Sequence, residues 1–258
     1  MSLYANPIKN NAPSPYLPAA CTIEEAVKPT DKEKFFRVTP HDPALLDYSP
    51  GQFFMVGLPG YGEAPISITS GPGEGGFIEL CVRAVGNVTN AIHRLEKGDT
   101  LWIRGPFGRG FDINGMAGKD VLFVAGGLGI VPMRSLIKAV IQGARPGRLT
   151  LIYGSKGPEE ILYKDEFEEW RAKGIDMKIT IDRPCPGWGG DVGTVTALIP
   201  PLDIDAGGTV AVVIGPPVMY KFVIWSLRQK GIKDDEILVS LERRMKCGLG
   251  KCGHCQIN

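Results

Sequence analysis

Apolar residues in the first half of the chain come in short runs broken by turn residues. Phe35-Phe36-Arg37-Val38, Gln52 to Val56, Ile66-Ser67-Ile68, Phe77 to Val82 and Thr100 to Ile103 are rich in β-formers. Several short strands at this spacing predict an antiparallel barrel or sandwich. One helical segment, Thr89 to Leu95, interrupts them ahead of a Lys97-Gly98-Asp99 turn, and Gly105-Pro106-Phe107-Gly108 reads as a turn towards a linker. After Gly118 the rhythm changes. Val121 to Val124, Leu149 to Tyr153, Met177 to Thr180, Val210 to Ile214 and Ile237 to Val239 are continuous apolar runs. Met133 to Gln142, Glu159 to Ala172 and Met219 to Lys230 between them have helical spacing. Strand alternating with helix predicts a parallel sheet covered on both faces.

Length agrees with two domains, since 258 residues exceed one ordinary core. The expected organisation is an extended, proline-rich arm over 1–19, a barrel over 20–115, an α/β domain over 116–242 and a short tail over 243–258. Pro7, Pro13, Pro15 and Pro18 mark the arm. Hydrophobic residues at 43% and charged residues at 22% suit a soluble globular chain. The 29 basic and 28 acidic side chains nearly cancel, which gives no electrostatic reason to expect nucleic acid or an anionic membrane as partner. No apolar run reaches the roughly 18–20 residues of a membrane span. The polar stretch from Met1 to Asn11 has no signal-peptide core, so a cytoplasmic enzyme or subunit is expected.

Chemistry concentrates at a few strand ends. Val124-Ala125-Gly126-Gly127-Leu128-Gly129-Ile130-Val131-Pro132 leaves a buried strand, turns on three glycines and enters a helix with Pro132 in its first turn. Such a turn lets a pyrophosphate approach the backbone at a helix N-terminus. Its spacing departs from G-x-G-x-x-G, so a plain strand–helix turn is the competing reading. Ile214-Gly215-Pro216-Pro217-Val218-Met219 and Tyr153-Gly154-Ser155-Lys156 end two further strands on the same carboxyl edge, where open α/β sheets bind ligands. In the first half, Pro65-Ile66-Ser67 opens a strand, and Gly86-Asn87-Val88-Thr89 starts the short helix, where Thr89 can cap it and meet a phosphate oxygen. Each of these also reads as an ordinary strand mouth, cap or turn.

Together these motifs resemble those of the ferredoxin–NADP reductase-like flavoproteins, over nearly the whole chain after residue 20. Within them the chain looks most like electron-transfer subunits ending in an iron–sulfur segment. These are the gamma subunits of nickel–iron hydrogenases or sulfhydrogenases, the corresponding subunit of anaerobic sulfite reductase, and the electron-transfer subunit of dihydroorotate dehydrogenase. The resemblance implies an antiparallel β-barrel binding FAD, then a doubly wound parallel α/β domain binding NAD(P)H, with a short iron–sulfur tail. It gives Pro65, Ile66 and Ser67 to the flavin ring, and Gly86, Val88 and Thr89 to the FAD phosphates. Gly126, Gly127, Gly129 and Pro132 go to the nucleotide turn, and Gly215, Pro216, Pro217 and Met219 to the nicotinamide side. Two positions depart from the family. Ala64 stands where an arginine usually pairs with the FAD pyrophosphate, and Arg83 is the candidate replacement. Ile214 stands where a cysteine is common. Ser155 and Lys156 after Tyr153, with Arg183, would greet a 2′-phosphate, whereas Glu159 and Glu160 would favour a free ribose, so the preference between NADH and NADPH stays open.

Of six cysteines, Cys21, Cys81 and Cys185 are isolated and read as small buried hydrophobes. Cys247, Cys252 and Cys255 follow C-x4-C-x2-C, the first three ligands of plant-type [2Fe–2S] spacing. Zinc is the rival, and His254 could then be a ligand, although it reads better as a surface histidine or one beside the ligands. Arg243, Arg244, Lys246 and Lys251 flank the thiols and would offset a cluster's negative charge. The family's fourth cysteine follows about ten residues after the third, so the natural chain is expected to carry one beyond Asn258. The expected function is electron transfer, in either direction, between NAD(P)H and a partner subunit of a hydrogenase-, sulfite reductase-, heterodisulfide reductase- or dihydroorotate dehydrogenase-like complex, through FAD and a [2Fe–2S] cluster. It needs no acid–base dyad, only positioning, with Ser67 near the flavin. A structural adaptor without turnover and a stand-alone reductase of a soluble acceptor are the alternatives.

Overall fold

The computed structural model describes residues 14–241 and 245–255. Most of the expected arm, and Arg243 and Arg244 of the expected basic flank, lie outside the described residues. Six strands make the first sheet: β1 (Ala19–Val27), β2 (Glu33–Pro40), β3 (Phe53–Leu58), β4 (Gly62–Ser67), β5 (Ile78–Arg83) and β6 (Thr100–Phe107). All pair antiparallel in the order β4-β3-β6-β1-β2-β5, and a bridge from Ile68 to Leu80 brings the two edges together as a barrel. Alternate residues such as Ile23, Phe36, Val38, Phe54, Val56, Ile78, Leu80 and Ile103 point inward and form its core. Helix α1 (Asn87–Ile92) starts two residues earlier than its sequence pattern suggests, because Thr89 Oγ1 accepts the amides of Val85 and Gly86 and fixes the turn there. The stretch Gly105-Pro106-Phe107 is not a turn but the end of β6, with Phe107 opposite Phe53.

The second sheet is parallel and runs β10-β9-β8-β7-β11-β12. Its strands are β7 (Asp120–Gly126), β8 (Leu149–Ser155), β9 (Ile175–Ile181), β10 (Asp191–Val192), β11 (Thr209–Ile214) and β12 (Ile237–Val239). Side chains along β7 alternate between two cores, as a sheet covered on both faces requires. Val121, Phe123 and Ala125 meet α2 (Ile130–Ala139) and α3 (Phe167–Ala172), whereas Leu122 and Val124 meet α4 (Pro217–Gln229). The helix expected over Glu159 to Ala172 is broken: Tyr163 takes a left-handed conformation at φ 57° and only Phe167–Ala172 is α-helical. That break turns the Tyr163 ring out of the domain to stack on Phe35 of β2, centroids 4.8 Å apart. Among the described residues no helix is long and apolar enough to cross a membrane.

Candidate functional site

Strand order reverses between β7 and β11, so the crevice at their carboxyl ends is where a doubly wound sheet takes a ligand. Three glycines there do different work. A Cβ on Gly129 would lie 2.0 Å from the Ile214 carbonyl oxygen, and one on Gly126 2.6 Å from the Met219 sulfur. These two let the start of α2 close onto β11. Gly127, at φ +54°, has nothing within 4 Å of an added Cβ, so its backbone faces open space. Gly215 is packed against the Met219 methyl, Met219 and Pro132 are buried, and Pro216 and Pro217 are exposed at the rim. The crevice thus offers Gly127 and the proline loop, with Gly126, Gly129, Pro132, Gly215 and Met219 shaping it from behind.

The end of β8 divides similarly. Tyr153 has no exposed surface, and its hydroxyl accepts the Leu162 amide at 3.2 Å. Its side chain therefore belongs to the core and holds the 161–163 segment, which corrects its expected place at the nucleotide. Burial pushes its phenol well above the ordinary range. Ser155 is buried and Lys156 exposed. Glu160 is bound by Lys32 of the barrel at 2.6 Å, an interaction that holds its carboxyl below the usual range.

On the barrel, Ile66 is buried while Pro65 and Ser67 are half-buried in β4. Gly86 is exposed, with nothing within 4 Å of an added Cβ, and Val88 is half-buried beside it at the start of α1. Thr89 is buried, and besides accepting two amides its hydroxyl donates to the Gly86 carbonyl at 3.2 Å, so it shapes the loop. Arg83 is committed to the fully buried Glu33 and lies 3.9 Å from Glu160. Its guanidinium is therefore engaged where a free one was expected for pyrophosphate.

Two arginines that sequence reasoning passed over organise the surroundings. Arg104 of β6, 5% exposed, forks onto Glu63 and donates to the carbonyls of Cys247 at 3.0 Å and Pro15 at 3.3 Å. Residues directly opposite in antiparallel strands share a face. Pro65, Met55 and Arg104 are such a row across β4, β3 and β6. The cysteine loop lies on this row: Gly248, at φ +72°, leaves room for no Cβ against Phe107 at 2.9 Å and Met55 at 3.1 Å. The second is Arg134 of α2, 6% exposed, bonded to Glu79 and the Thr69 carbonyl of the barrel and to Glu166 of its own domain.

In the tail, hydrogen bonds from the Cys252 and Leu249 amides hold the Cys247 thiol down at about 6, the Leu249 nitrogen lying 3.3 Å from its sulfur. Cys252 and His254 are exposed and Cys255 half-buried, and among the described residues no three metal-ligating side chains converge. The donor chemistry suits an iron–sulfur centre in part, with three thiols in a glycine-rich loop whose amides already point at one sulfur. Of the isolated cysteines, Cys21 and Cys81 are buried as expected, whereas Cys185 is exposed.

A closed antiparallel barrel packed against a parallel sheet with an open carboxyl-edge crevice defines a class of two-domain flavin and nicotinamide-nucleotide reductases. Family models agree: an oxidoreductase FAD-binding domain matches residues 20–111, and an oxidoreductase NAD-binding domain matches residues 123–224. The chain is 38% identical to sulfhydrogenase 1 subunit gamma of Pyrococcus furiosus, over 95% of this chain and 86% of that protein. It is 33% identical to a probable dihydroorotate dehydrogenase B electron transfer subunit of Methanocaldococcus jannaschii, covering 93% and 84%. The solved NADH-dependent reduced ferredoxin-NADP oxidoreductase superposes with a TM-score of 0.75 at 28% identity, over 91% of this chain and 80% of that one. A ferredoxin NADP+ reductase from Neisseria gonorrhoeae, at 19% identity and a TM-score of 0.73 over 86% and 97%, shares the fold. The chain belongs to the ferredoxin–NADP reductase-like oxidoreductases, in the group of sulfhydrogenase gamma and dihydroorotate dehydrogenase electron-transfer subunits.

Proposed function

We propose that this chain passes electrons between NAD(P)H and a partner redox subunit, through FAD on the barrel and a [2Fe–2S] cluster held by Cys247, Cys252 and Cys255. FAD, when bound, exchanges a hydride with a nicotinamide and gives up electrons singly, which joins two-electron to one-electron chemistry. The observation that carries the reading is the row of Pro65, Met55 and Arg104, which sets the cysteine loop beside the flavin motif. Pro65, Ile66 and Ser67 would orient the ring, and the open backbone at Gly86 with Val88 would face the FAD phosphates. Gly127 would admit the nucleotide pyrophosphate to the start of α2. Met219, packed beneath Gly126 and Gly215, would form the floor of the nicotinamide side. No side chain moves a proton in this scheme, so the protein contributes position and exclusion of water. With Glu160 held by Lys32, exposed Lys156 and Arg183 would greet a 2′-phosphate and exposed Glu159 would favour a free ribose, so both NADPH and NADH are carried into the test. Three free thiols in one short loop suit a reducing compartment, the cytoplasm. As in the complexes for which its relatives are named, a partner subunit would supply the terminal chemistry.

The test is anaerobic purification followed by titration with NADPH and NADH. A yellow-brown protein that bleaches, releases FAD on heating, and shows a reduced [2Fe–2S] EPR signal lost in Cys252→Ser supports the proposal. Bleaching without the EPR signal would remove the cluster and keep the flavin. A colourless protein, or one that neither nucleotide bleaches, would leave only the adaptor reading.

A further inference from the structure

Arg134 connects the two cofactor-handling motifs directly. It lies two residues after Pro132 of the nucleotide turn, and its Nη1 donates to the carbonyl of Thr69, two residues after Ser67 of the flavin motif, at 2.9 Å. The same nitrogen donates to Glu79 Oε2 at 2.6 Å, while Nε and Nη2 fork onto Glu166 at 2.8 and 2.6 Å. Its guanidinium carbon sits 4.9 Å from the centroid of the Tyr163 ring. That ring in turn stacks on Phe35 and bonds the Thr69 hydroxyl at 2.8 Å. On the barrel side the pairing continues outward, from Glu79 to Arg37 at 2.7 Å and from Arg37 to Glu25 at 3.4 Å. One alternating chain, Glu25–Arg37–Glu79–Arg134–Glu166, therefore runs from the barrel surface through the buried Arg134 to half-buried Glu166 of the second domain.

A buried guanidinium with three fixed acceptors from two domains is a directional joint rather than a general attraction. A lysine could neutralise both carboxylates but could not hold the fork and the Thr69 carbonyl together. Lys138 one turn further along α2 makes a simpler contact, a single ion pair to Glu74 at 2.9 Å. Domains joined within a chain move relative to one another by default, and a misplacement of about 1 Å at a reacting centre can cost about a hundredfold in rate.

We infer that Arg134 is the positioning residue of the hydride-transfer step: it fixes the nucleotide turn against the flavin strand at Thr69 and so sets the approach of nicotinamide to flavin. The inference rests on the proposed NAD(P)H–flavin reaction. It predicts a defect in the rate of reduction of bound flavin, not in nucleotide affinity.

The experiment compares wild type, Arg134→Lys, Glu166→Gln and Lys138→Gln, each loaded with FAD, by anaerobic stopped-flow reduction over a range of NADPH concentrations. Hydrogen exchange of segments 66–70 and 162–167 is followed in the same proteins with and without FAD. Arg134→Lys is expected to lower the limiting reduction rate at least tenfold with the nucleotide Kd within threefold of wild type. Glu166→Gln should fall the same way by a smaller factor, and Lys138→Gln should match wild type. Exchange at both segments should quicken in the first two variants alone, even without FAD. An unchanged limiting rate, a loss confined to Kd, or an equal loss in Lys138→Gln would overturn the inference. If wild type itself is not reduced, the proposed reaction fails, and the exchange of FAD-free protein still decides the joint: no change in Arg134→Lys overturns it. Glu166→Gln keeps the test alive should Arg134→Lys fail to fold.

Discussion

Replacing Gly129 with alanine measures how tightly α2 is seated on β11. The added methyl would lie 2.0 Å from the Ile214 carbonyl oxygen, 2.6 Å from its carbon and 3.1 Å from the Gly215 nitrogen, all backbone atoms. No side chain can swing away, so the start of α2 must lift by more than an ångström or the strand end must bend. Overpacking of this kind costs about 1–3 kcal/mol, and a purely backbone clash belongs at the upper end, near ~3 kcal/mol. For a domain of this size that corresponds to a melting temperature lower by about 6–12 °C. Gly127→Ala is the matched control, because its Cβ meets nothing within 4 Å and the left-handed φ of +54° is its sole structural burden. That strain costs about 1–2 kcal/mol, or a few degrees. The two variants should then part in function: Gly127→Ala enters the space proposed for the nucleotide and should weaken NADPH binding despite its milder melting loss. Scanning calorimetry and nucleotide titration on the same preparations provide the comparison. If Gly129→Ala melts within about 2 °C of wild type, α2 is not seated on β11 as described. If Gly127→Ala binds NADPH normally, that backbone does not face the nucleotide.

Three other outcomes follow from single residues. Lys156→Glu should lower the NADPH/NADH ratio of kcat/KM by at least about tenfold, or about 1.4 kcal/mol of discrimination, and an unchanged ratio would remove the end of β8 from ribose recognition. Ser135 is fully buried on α2 and its hydroxyl has no hydrogen-bond partner among the described residues, so Ser135→Ala should raise stability by about 1 kcal/mol, read by denaturant unfolding. Burial alone would raise the Glu79 carboxyl, but the Arg134 charge, the Arg37 hydrogen bond and Lys138 outweigh it and hold it below its ordinary 4.5. A depressed carboxylate stabilises the fold above its unfolded value and loses that contribution as pH falls through the folded one. The stability gap between wild type and Arg134→Gln should therefore be constant above about pH 4.5 and narrow below it in pH-resolved thermal melts.

Much of the fold was legible because β-branched and aromatic runs have few alternatives once glycine and proline bound them. Strands β2 to β9, β11 and β12 each contain or overlap a run visible in the sequence. Strand β1 was not visible, since its pairing with β2 shifts between Ile23 and Glu25 and the shift breaks the alternation that marks a half-buried strand. The two residues of β10 carry too little pattern to read. The helix over 159–172 was misjudged because the turn at Tyr163 is set by Phe35 and Thr69, more than ninety positions away. Of the site residues, the glycines at strand ends could be found but not sorted, since only packing separates open Gly127 from closed Gly126 and Gly129. Arg104 and Arg134 left one faint signal, a single charge inside an otherwise apolar stretch. Their partners lie far off in sequence, Cys247 at a separation of 143 and Glu79 at 55.

Arg104 forks onto Glu63 and Arg134 takes the Thr69 carbonyl, so the two arginines bracket one short stretch of chain, residues 63–69. Within residues 65–69, Pro65 sits opposite Met55, on which the cysteine loop packs, and Thr69 gives its carbonyl to Arg134. The strand proposed to carry the flavin ring is therefore tied at one end to the thiol tail and at the other to the nucleotide turn. These ties differ in kind. The Arg134 joint is cross-braced by Tyr163, Phe35 and the ion pair of Lys32 with Glu160, so the nucleotide side is fixed by several contacts that share little. On the tail side the described contacts are the Arg104 bond to the Cys247 carbonyl, the fit of Gly248 against Phe107 and Met55, and Lys251 over the ring of Tyr16 at 5.6 Å. Hydride transfer demands near-contact and alignment of the reacting atoms, whereas passage of single electrons to a cluster has no comparable orientational demand. The heavier bracing thus falls on the side where the proposed chemistry is the more exacting about geometry.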